Sequence, residues 1–393
     1  MDEGVFLIDK LMDLFKSRVK IFIMYLISKM MRIQKKIVFI SFGGRQYSDN
    51  PRWISEKMHE LYPEYKQIWI LNKFNDNYKI MPEYVEIIDA IQKIRALKEL
   101  STAFCVISNT EFYDTYYKRK EQYYIDTWHG SNPLKKILYD VIPKDEWTVK
   151  IADNKLVDLM VTNSNFGSNL YRSAMEYFGK VIEEGLPRND ILVKNDSVII
   201  EMVKRRLNIG IKSKILLYAP TFRDDLLGEQ DVLVDLHRII GLLNDNEDWI
   251  CLLRAHPGAK GLKCLSDDFI MDVSDYPDMA ELLLITDLLI TDYSSCASDF
   301  ILRDKPVIMA QFDYEDYKKN CRDFYYEMDK LPFFIAHTQC ELEKIILGLT
   351  DEKVKDNCDK IRAFYQIKET GESAEKICKI INDEYYKRIV KTR

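Results

Sequence analysis

Two histidines are candidates for catalysis because each follows a predicted buried strand. His129 comes after the strand predicted at residues 123–127, and His256 comes after the one at 249–254. An imidazole changes its charge near neutral pH, so a histidine at the end of a strand can act as a general base. The sequence leaves open the alternative that His129 is a structural residue in a turn.

A pair of hydroxyl groups, Ser294 and Ser295, is the second feature suited to chemistry. The pair follows a predicted strand at residues 287–292 and precedes a helical pattern. Backbone N–H groups and the positive end of the dipole make a helix N-terminus a site for phosphate. This predicts a diphosphate site, with the alternative that Asp292, Ser294 or Ser295 only caps the helix.

Other polar residues follow predicted strands in the same way. In a doubly wound α/β fold such strand ends face one crevice. Transfer from a nucleotide diphosphate requires neutralisation of the leaving phosphate and a base for the attacking hydroxyl. We see no metal-ligand spacing, so we expect no bound metal and no cofactor. The residues that could share this crevice are His129, Arg188, Thr221, Arg223, Arg254, His256, Ser294 and Ser295.

Strands and helices alternate in two successive blocks. The first block begins with a strand at residues 36–41, and the second with a strand at 214–219, after a hinge-like segment at 185–190. Two parallel sheets flanked by helices, with a cleft between them, follow from this alternation. A helical pattern at 363–390 is expected to pack back over the first half.

The composition describes a globular chain. Its 393 residues are 47% apolar and 31% charged, which is enough for two domains with full cores. The net charge of −6 argues against general nucleic-acid binding. Eight scattered cysteines and no visible secretory signal indicate reduced thiols in a cytosolic protein.

The N-terminal residues 5–33 combine an apolar face with interleaved lysines and arginines. The longest apolar run, residues 21–27, is too short to span a bilayer. The pattern is typical of a basic amphipathic helix on an anionic membrane surface. The alternative is a helix that packs on its own protein or on a second subunit.

The ordered motifs resemble the CDP-glycerol glycerophosphotransferase family of teichoic-acid and capsule synthesis. The resemblance implies a GT-B-like α/β fold of two Rossmann-type domains, and transfer of glycerol phosphate from CDP-glycerol with release of CMP. The motifs run in order over roughly residues 36–335, which is most of the chain. The matching words are SFGGRQYSDNP, DTWHGSNPLKK, TNSNFG, GLPRND, YAPTFRD, RAHP and ITDYSSCASDF.

Carried over to this chain, the resemblance implies that His129 is the catalytic base and that His256 contacts the donor diphosphate. Ser294 and Ser295 resemble the phosphate-binding pair, and Asp299 a donor-contacting carboxylate. The full set of implied substrate-binding residues is Gly130, Arg188, Thr221, Arg223, Arg254, Thr291, Asp292, Ser294, Ser295 and Asp299.

One motif departs from the family pattern. The family commonly has WHGTP, whereas this chain has an additional residue between Gly130 and Pro133. The turn behind His129 and the acceptor preference are therefore expected to differ. Since the chain has the size of one catalytic unit, the analogy favours a primase or short-chain transferase over a processive polymerase.

We expect four segments along the chain. They are a membrane-associated helical arm (1–35), an acceptor-side domain (36–186), a CDP-alcohol donor domain (187–360) and a C-terminal helix packed on the first domain (361–393). The expected partners are CDP-glycerol, a lipid-linked saccharide acceptor, the cytoplasmic face of the cell membrane as a peripheral protein, and a possible second copy of the chain, with no nucleic acid.

Three alternatives stay open at this point. A CDP-ribitol transferase would need the same site, because the donors differ only in polyol length. A GT-B glycosyltransferase would use a nucleotide sugar and release UDP. A non-catalytic membrane scaffold would retain the fold, but the presence of His129 and His256 argues against it.

Overall fold

The computed structural model describes residues 3–72, 81–110, 116–130, 132–141, 156–221, 233–244, 248–255, 268–321 and 323–391. Of residues 3–15 it describes the helical backbone alone. Two predicted site residues, Arg223 and His256, therefore lie outside the described residues.

The strands described in the first half form one parallel sheet of seven strands in the order β3-β2-β1-β4-β5-β6-β7. The strand order reverses between β1 and β4, which pair directly. A crevice for ligands opens at such a reversal in an α/β sheet. The strands are β1 (Gln34–Ile40), β2 (Lys66–Leu71), β3 (Val85–Asp89), β4 (Ala103–Ser108), β5 (Tyr123–Asp126), β6 (Leu159–Thr162) and β7 (Lys180–Glu183).

The strands described in the second half form a parallel sheet of six strands in the order β10-β9-β8-β11-β12-β13. Its order reverses between β8 and β11, which also pair directly. The predicted arrangement of two parallel Rossmann-type sheets is confirmed. The strands are β8 (Lys214–Ala219), β9 (Trp249–Leu253), β10 (Ile270–Asp272), β11 (Leu288–Thr291), β12 (Val307–Ala310) and β13 (Phe334–Ala336).

Helices cover both faces of each sheet, so the strands are buried on two sides and their sequences are continuously apolar. In β1, Val38 and Ile40 belong to one core cluster while Ile37 and Phe39 belong to another. The helices are α1 (Glu3–Met30), α2 (Asp49–Leu61), α3 (Lys93–Thr102), α4 (Asn165–Ala174), α5 (Asp190–Lys194), α6 (Ser197–Arg206), α7 (Leu236–Leu243), α8 (Met279–Ile285), α9 (Cys296–Phe300), α10 (Tyr314–Asn320), α11 (Gln339–Leu347), α12 (Asp351–Tyr365) and α13 (Ser373–Tyr385).

Helix α1 packs on the first sheet with one stripe and exposes another. Met24 is fully buried, and Ile23 and Ile27 pack against the same core cluster. Phe22 and Met30 are 59% and 84% exposed. Among the described helices, none has the length and apolar character needed to cross a bilayer.

The predicted helix at residues 363–390 is interrupted, which corrects the sequence-based expectation. Helix α12 ends at Tyr365 and is followed by Gln366, whose φ of 52° is left-handed. Helix α13 begins at Ser373. We call residues 366–372 the link. After it, Ile377 and Cys378 of α13 pack into the core of the first sheet.

A second crossing between the halves follows β5. We call residues 132–137 the strap, because it leaves the first half and pairs with the second. Its Leu134 is buried in the core of the second sheet. The Leu134 carbonyl accepts the N–H of Tyr325 at 2.9 Å, and the N–H of Lys136 donates to the Asp323 carbonyl at 2.9 Å.

Candidate functional site

The cleft lies where the carboxyl ends of strands from both sheets face each other. Its two adjoining recesses share residues from both halves, including Phe42, His129 and Arg254. The segments that follow β1, β5, β8 and β11 all contribute to it. Predicted site residues that line the cleft are His129, Arg188, Thr221, Arg254, Ser294, Ser295 and Asp299.

The ring of His129 is oriented by a backbone carbonyl. His129 Nδ1 lies 2.8 Å from the carbonyl oxygen of Asn109, which follows β4. Because a carbonyl can only accept, the proton of the neutral ring is on Nδ1, and Nε2 carries the lone pair. Asn109 is itself fixed, since its Oδ1 accepts the N–H of Phe42 at 2.7 Å. His129 therefore has the tautomer that a general base needs.

The turn that carries His129 is held in an unusual conformation. Trp128 has a φ of 49°, a left-handed value that is costly for a bulky side chain. Asp126 Oδ1 accepts the Trp128 N–H at 2.8 Å. Asn50 Nδ2 donates to the Trp128 carbonyl at 3.2 Å. These contacts make His129 project from a fixed turn.

Asn50 lies inside the first turn of α2 and joins two loops of the site. Helix α2 begins at Asp49, so Ser48 and not Asn50 occupies the N-cap position. The side chain of Asn50 instead bridges two site loops, since its Oδ1 accepts the N–H of Arg188 at 3.1 Å.

Gly130 lies where the His129 loop approaches the serine loop. A Cβ atom at this position would lie 3.1 Å from Ser295 Oγ, closer than nine in ten real Cβ contacts. The absence of a side chain thus allows the His129 loop of the first half to touch the serine loop of the second half.

The two serine hydroxyls make little capping contact. Ser295 is at the N-cap position of α9 and makes no side-chain cap bond. Ser294 Oγ lies 3.4 Å from the N–H of Cys296, which is long for a hydrogen bond. This geometry favours a ligand-facing role over capping. The helix itself is only five residues long, so its dipole contributes less than the sequence predicted.

Arg254 brings positive charge to both recesses. Its NH1 donates to the Tyr276 carbonyl at 2.6 Å, a contact that orients the guanidinium without neutralising it. Burial lowers the pKa of Arg254, while the nearby Asp278 raises it. An arginine stays protonated under these conditions.

Arg188 is buried among carboxylates, which sequence reasoning did not predict. Its NH1 donates to Asp49 Oδ2 at 3.0 Å and to the His129 carbonyl at 2.7 Å. Its NH2 donates to Asp299 Oδ2 at 2.9 Å. Burial acts to lower the pKa of Arg188, but Asp299 and Asp49 outweigh it and leave the pKa raised. The positive charge of Arg188 is thus largely compensated within the protein.

A second buried pairing crosses between the halves behind the cleft. Arg52 of α2 donates to Asp278 at 3.2 Å and to Glu281 at 2.7 Å. Burial raises the pKa of Asp278 to about 6, with Arg52 opposing the shift. Together with Arg188, the ion pairs of Arg52 tie the first half to the second beside the recess that Arg188 and Asp278 line.

Thr291 and Asp292 lie at the end of β11 and form hydrogen bonds to residues at the end of the neighbouring strand β8. Thr291 Oγ1 donates to the Ala219 carbonyl at 2.7 Å, and Thr291 is fully buried. The carboxylate of Asp292 accepts the N–H of Thr221 at 2.8 Å. These bonds align the ends of β8 and β11. The structure brings neither side chain to the lining of the two recesses.

Sequence reasoning missed several residues that hold the site. Asn109 is one for which a signal existed, because Ser108-Asn109 is a polar pair at a strand end, like the pairs that were selected. Asp49, Asn189 and Glu369 gave no such signal, since their partners are far away in the sequence. In the described part of the chain no group of His, Cys, Asp or Glu side chains is arranged to hold a metal ion.

The chain is similar to proteins of teichoic-acid synthesis. A family model described as CDP-Glycerol:Poly(glycerophosphate) glycerophosphotransferase matches residues 23–383. The teichoic acid glycerol-phosphate transferase of Staphylococcus aureus is 31% identical over 370 residues, which cover 88% of this chain and 92% of that protein. The teichoic acid poly(glycerol phosphate) polymerase of Staphylococcus epidermidis is 33% identical over 353 residues, 84% of this chain and 48% of that protein.

The chain thus spans about half the length of one of these relatives and nearly all of the other. Among solved structures, the wall teichoic acid polymerase TagF superposes with a TM-score of 0.81 at 30% identity, covering 98% of this chain and 99% of that chain. A histidine variant of TagF was solved after a soak with CDPG and superposes equally well, with a TM-score of 0.81.

Proposed function

The chain belongs to the CDP-glycerol:poly(glycerophosphate) glycerophosphotransferase family, and from this premise we propose that it transfers glycerol phosphate from CDP-glycerol to a hydroxyl group of a lipid-linked acceptor. The acceptor oxygen bonds to the phosphorus that carries the glycerol. The bond from that phosphorus to the bridging oxygen breaks, and CMP leaves with that oxygen. The proton of the acceptor hydroxyl passes to a base.

His129 is the base in this proposal. Its Nδ1 donates to the Asn109 carbonyl, so Nε2 can accept the proton of the acceptor hydroxyl. The strained turn at Trp128 keeps the ring in place without help from the substrate. A positioned base of this kind contributes about 10²–10⁴ to the rate.

Ser294, Ser295 and Arg254 form the proposed diphosphate site. Hydroxyl groups and a guanidinium offer hydrogen bonds and positive charge to a leaving CMP, and such contacts are worth most in a partly buried cleft. Thr221 and Asp299 are proposed as further donor contacts. His256 and Arg223 keep the donor-binding roles that the resemblance implies, as proposals.

The observation that carries the proposal is the contact between the two loops at Gly130. A Cβ atom there would be 3.1 Å from Ser295 Oγ, so the proposed base and the proposed diphosphate site belong to one small volume. Proton transfer and phosphoryl transfer both require reacting groups within a few ångströms.

The proposed acceptor is a saccharide or growing chain on a prenyl diphosphate at the cytoplasmic face of the membrane. The support comes from α1, where Phe22, Leu26 and Met30 are spaced four residues apart and exposed. Arg18 and Lys29 on the same helix are exposed as well. Apolar side chains flanked by cations suit an anionic membrane surface. Residues 36–186 would then serve the acceptor, and residues 187–360 the donor.

Nucleotide release tests the proposal. Purified protein is mixed with CDP-glycerol, CDP-ribitol or UDP-sugars, each with a lipid-diphosphate disaccharide, and the released nucleotide is measured. We expect the wild type to release CMP from CDP-glycerol and His129→Asn to lose this release. His237→Asn, which changes an exposed histidine on α7, is the control and should retain it. CMP from CDP-ribitol alone would change the product, and release of UDP would contradict the proposal.

A further inference from the structure

Asn132 is the residue that lengthens the turn after His129, and it is an anchor. The side chain is buried with 1% of its surface exposed. Its Nδ2 donates to Asn163 Oδ1 at 3.1 Å, and its Oδ1 accepts from Ser164 Oγ at 2.7 Å. A buried amide satisfied at both ends has one orientation. The longer turn is therefore fixed to the end of β6.

Asn163 also bonds to Glu369, which lies in the link. Glu369 Oε1 accepts from Asn163 Nδ2 at 2.9 Å and from Asn189 Nδ2 at 2.8 Å, and the Leu186 N–H lies 3.2 Å from both carboxylate oxygens. Gly185 makes room for the carboxylate, because a Cβ there would lie 2.5 Å from Glu369 Oε2. The backbone of Gly185 has a φ of +109°, which other residues rarely adopt.

From Asn189 the contacts return to the catalytic loop. Asn189 Nδ2 also donates to Asp299 Oδ1 at 3.0 Å. Asp299 Oδ2 accepts from Arg188 NH2 at 2.9 Å, and Arg188 NH1 donates to the His129 carbonyl at 2.7 Å. Since Asn132 is three residues after His129 in the chain, the contacts form a closed ring. The ring combines the His129 loop, the 185–190 segment, α9 and the link.

We propose that Glu369 is a positioning residue for the reaction, because one oxygen of its carboxyl group joins Asn163 to Asn189 and through them fixes the backbone of His129 from both ends of its turn. This rests on the proposed function of His129 as the base. Glu369 makes no hydrogen bond to a group proposed to contact substrate, so it acts through Asn163 and Asn189.

Loss of the hydrogen-bond acceptor at Glu369 is expected to lower the rate of the reaction. Without the Glu369 carboxylate, two amide groups of buried asparagines lose an acceptor in a site with little access to water. Asn189 would then reorient, and Asp299 would lose the contact that aligns it with Arg188. A displacement of about 1 Å at a catalytic group can cost about 100-fold in rate.

Glu369→Gln and Glu369→Ala separate positioning from stability. Gln keeps the oxygen that accepts from Asn163, Asn189 and Leu186, and replaces the second oxygen near the Leu186 N–H by an NH₂ group. Ala loses all three contacts. We expect Ala to lower kcat for CMP release from CDP-glycerol at least about 10-fold with little change in KM, and Gln to restore most of kcat. Asp190→Asn is the matched control, because Asp190 accepts the N–H groups of Ser373 and Ala374 at the start of α13, directly after the link, and makes none of the hydrogen bonds of the ring.

A second readout does not depend on activity. The chain has five histidines, so the imidazole signals of a histidine-labelled sample can be resolved by NMR, and His129 is assigned by its loss in His129→Asn. We expect the His129 signal to shift in Glu369→Ala and in Asn132→Ala, and to stay in place in Asp190→Asn.

The outcomes distinguish the positioning role of Glu369 from the proposed function of the chain. An unmoved His129 signal together with unchanged kcat in folded Glu369→Ala would overturn the positioning role. If Ala does not fold, Asn132→Ala decides the same point, because an unmoved His129 signal together with unchanged kcat in that variant would overturn the role of the ring. A wild-type protein that releases no CMP from CDP-glycerol would count against the proposed function, whereas a His129 signal that still shifts in Glu369→Ala would keep the structural half of the inference.

Discussion

The free energy of unfolding of the wild-type protein should decrease from mildly acidic to mildly alkaline pH. In Glu369→Gln this decrease should be smaller. Burial raises the pKa of Glu369 to about 8, against an ordinary value of 4.5, even though Asn189 and Asn163 donate to the carboxylate and lower it. Between these two values the folded protein holds a proton that the unfolded chain has released. The stabilisation is therefore complete below pH 4.5 and is lost as the pH rises to about 8.

The size of the effect follows from the two pKa values. One pKa unit corresponds to about 1.4 kcal/mol, so a proton bound with a pKa of about 8 in the folded state contributes about 2 kcal/mol more at pH 6 than at pH 7.5. Other raised carboxyl groups, such as Asp190 and Asp278, titrate in both proteins. The difference between the two pH dependences therefore isolates Glu369.

Urea unfolding of wild type and Glu369→Gln at pH 6, 7 and 7.5 measures this difference. The control is Glu372→Gln, which changes an exposed carboxylate three residues away in the chain and should follow the wild type at each pH. If the free energies of unfolding of wild type and Glu369→Gln change with pH in parallel, the carboxyl of Glu369 is ionised throughout this range. The reasoning from burial would then be refuted.

Three other changes test the site and the surface. His129→Asn should reduce turnover about 10²- to 10⁴-fold in a CMP-release assay while the dissociation constant of CDP-glycerol, measured by calorimetry, stays within a factor of a few; near-normal turnover would exclude His129 as the base. Changing Ser294 and Ser295 together to alanine should weaken CDP-glycerol binding by about 10-fold or more, since each lost bond to a charged group costs about 1.5–3 kcal/mol; an unchanged dissociation constant would exclude them from the diphosphate site. Phe22→Glu with Leu26→Glu should abolish sedimentation with anionic vesicles while leaving the melting temperature unchanged, because both side chains are exposed; continued binding would exclude this face of α1.

The strand ends could be predicted from the sequence because they depend on local patterns. Apolar runs of four to seven residues, each followed by a polar turn, predicted both sheets and placed His129, Arg254 and Ser294 at one crevice. Parallel strands point the same way, so their carboxyl ends must share an edge. That inference needs no knowledge of side-chain contacts.

The partners of Arg188 could not be predicted in this way. The sequence presents an arginine after a strand, which resembles a phosphate ligand. Its carboxylate partners, Asp49 and Asp299, lie 139 and 111 positions away, and no periodicity relates them. Which cations remain to meet a substrate is therefore a property of tertiary structure.

The link shows a different limit. The sequence pattern predicted one helix at residues 363–390, which begins inside α12 and runs past the end of α13. Gln366 and Gly371, with φ values of 52° and 76°, break it, and the break places Glu369 at the 185–190 segment. A glycine inside a helical pattern was the available signal.

The strap has a mechanical consequence for the cleft. If the two sheets separated as rigid bodies, Leu134 would leave the core of the second sheet, and two backbone hydrogen bonds would break with it. Exposing a leucine alone costs about 1.5–3 kcal/mol, so from this contribution alone a molecule opened in this way would be about 0.6–8% of the population. His129 thus moves with Ser295 of the opposite half, and not only with the sheet that carries it. Relative motion of the two halves elsewhere in the molecule therefore leaves the distance between His129 and the serine loop unchanged.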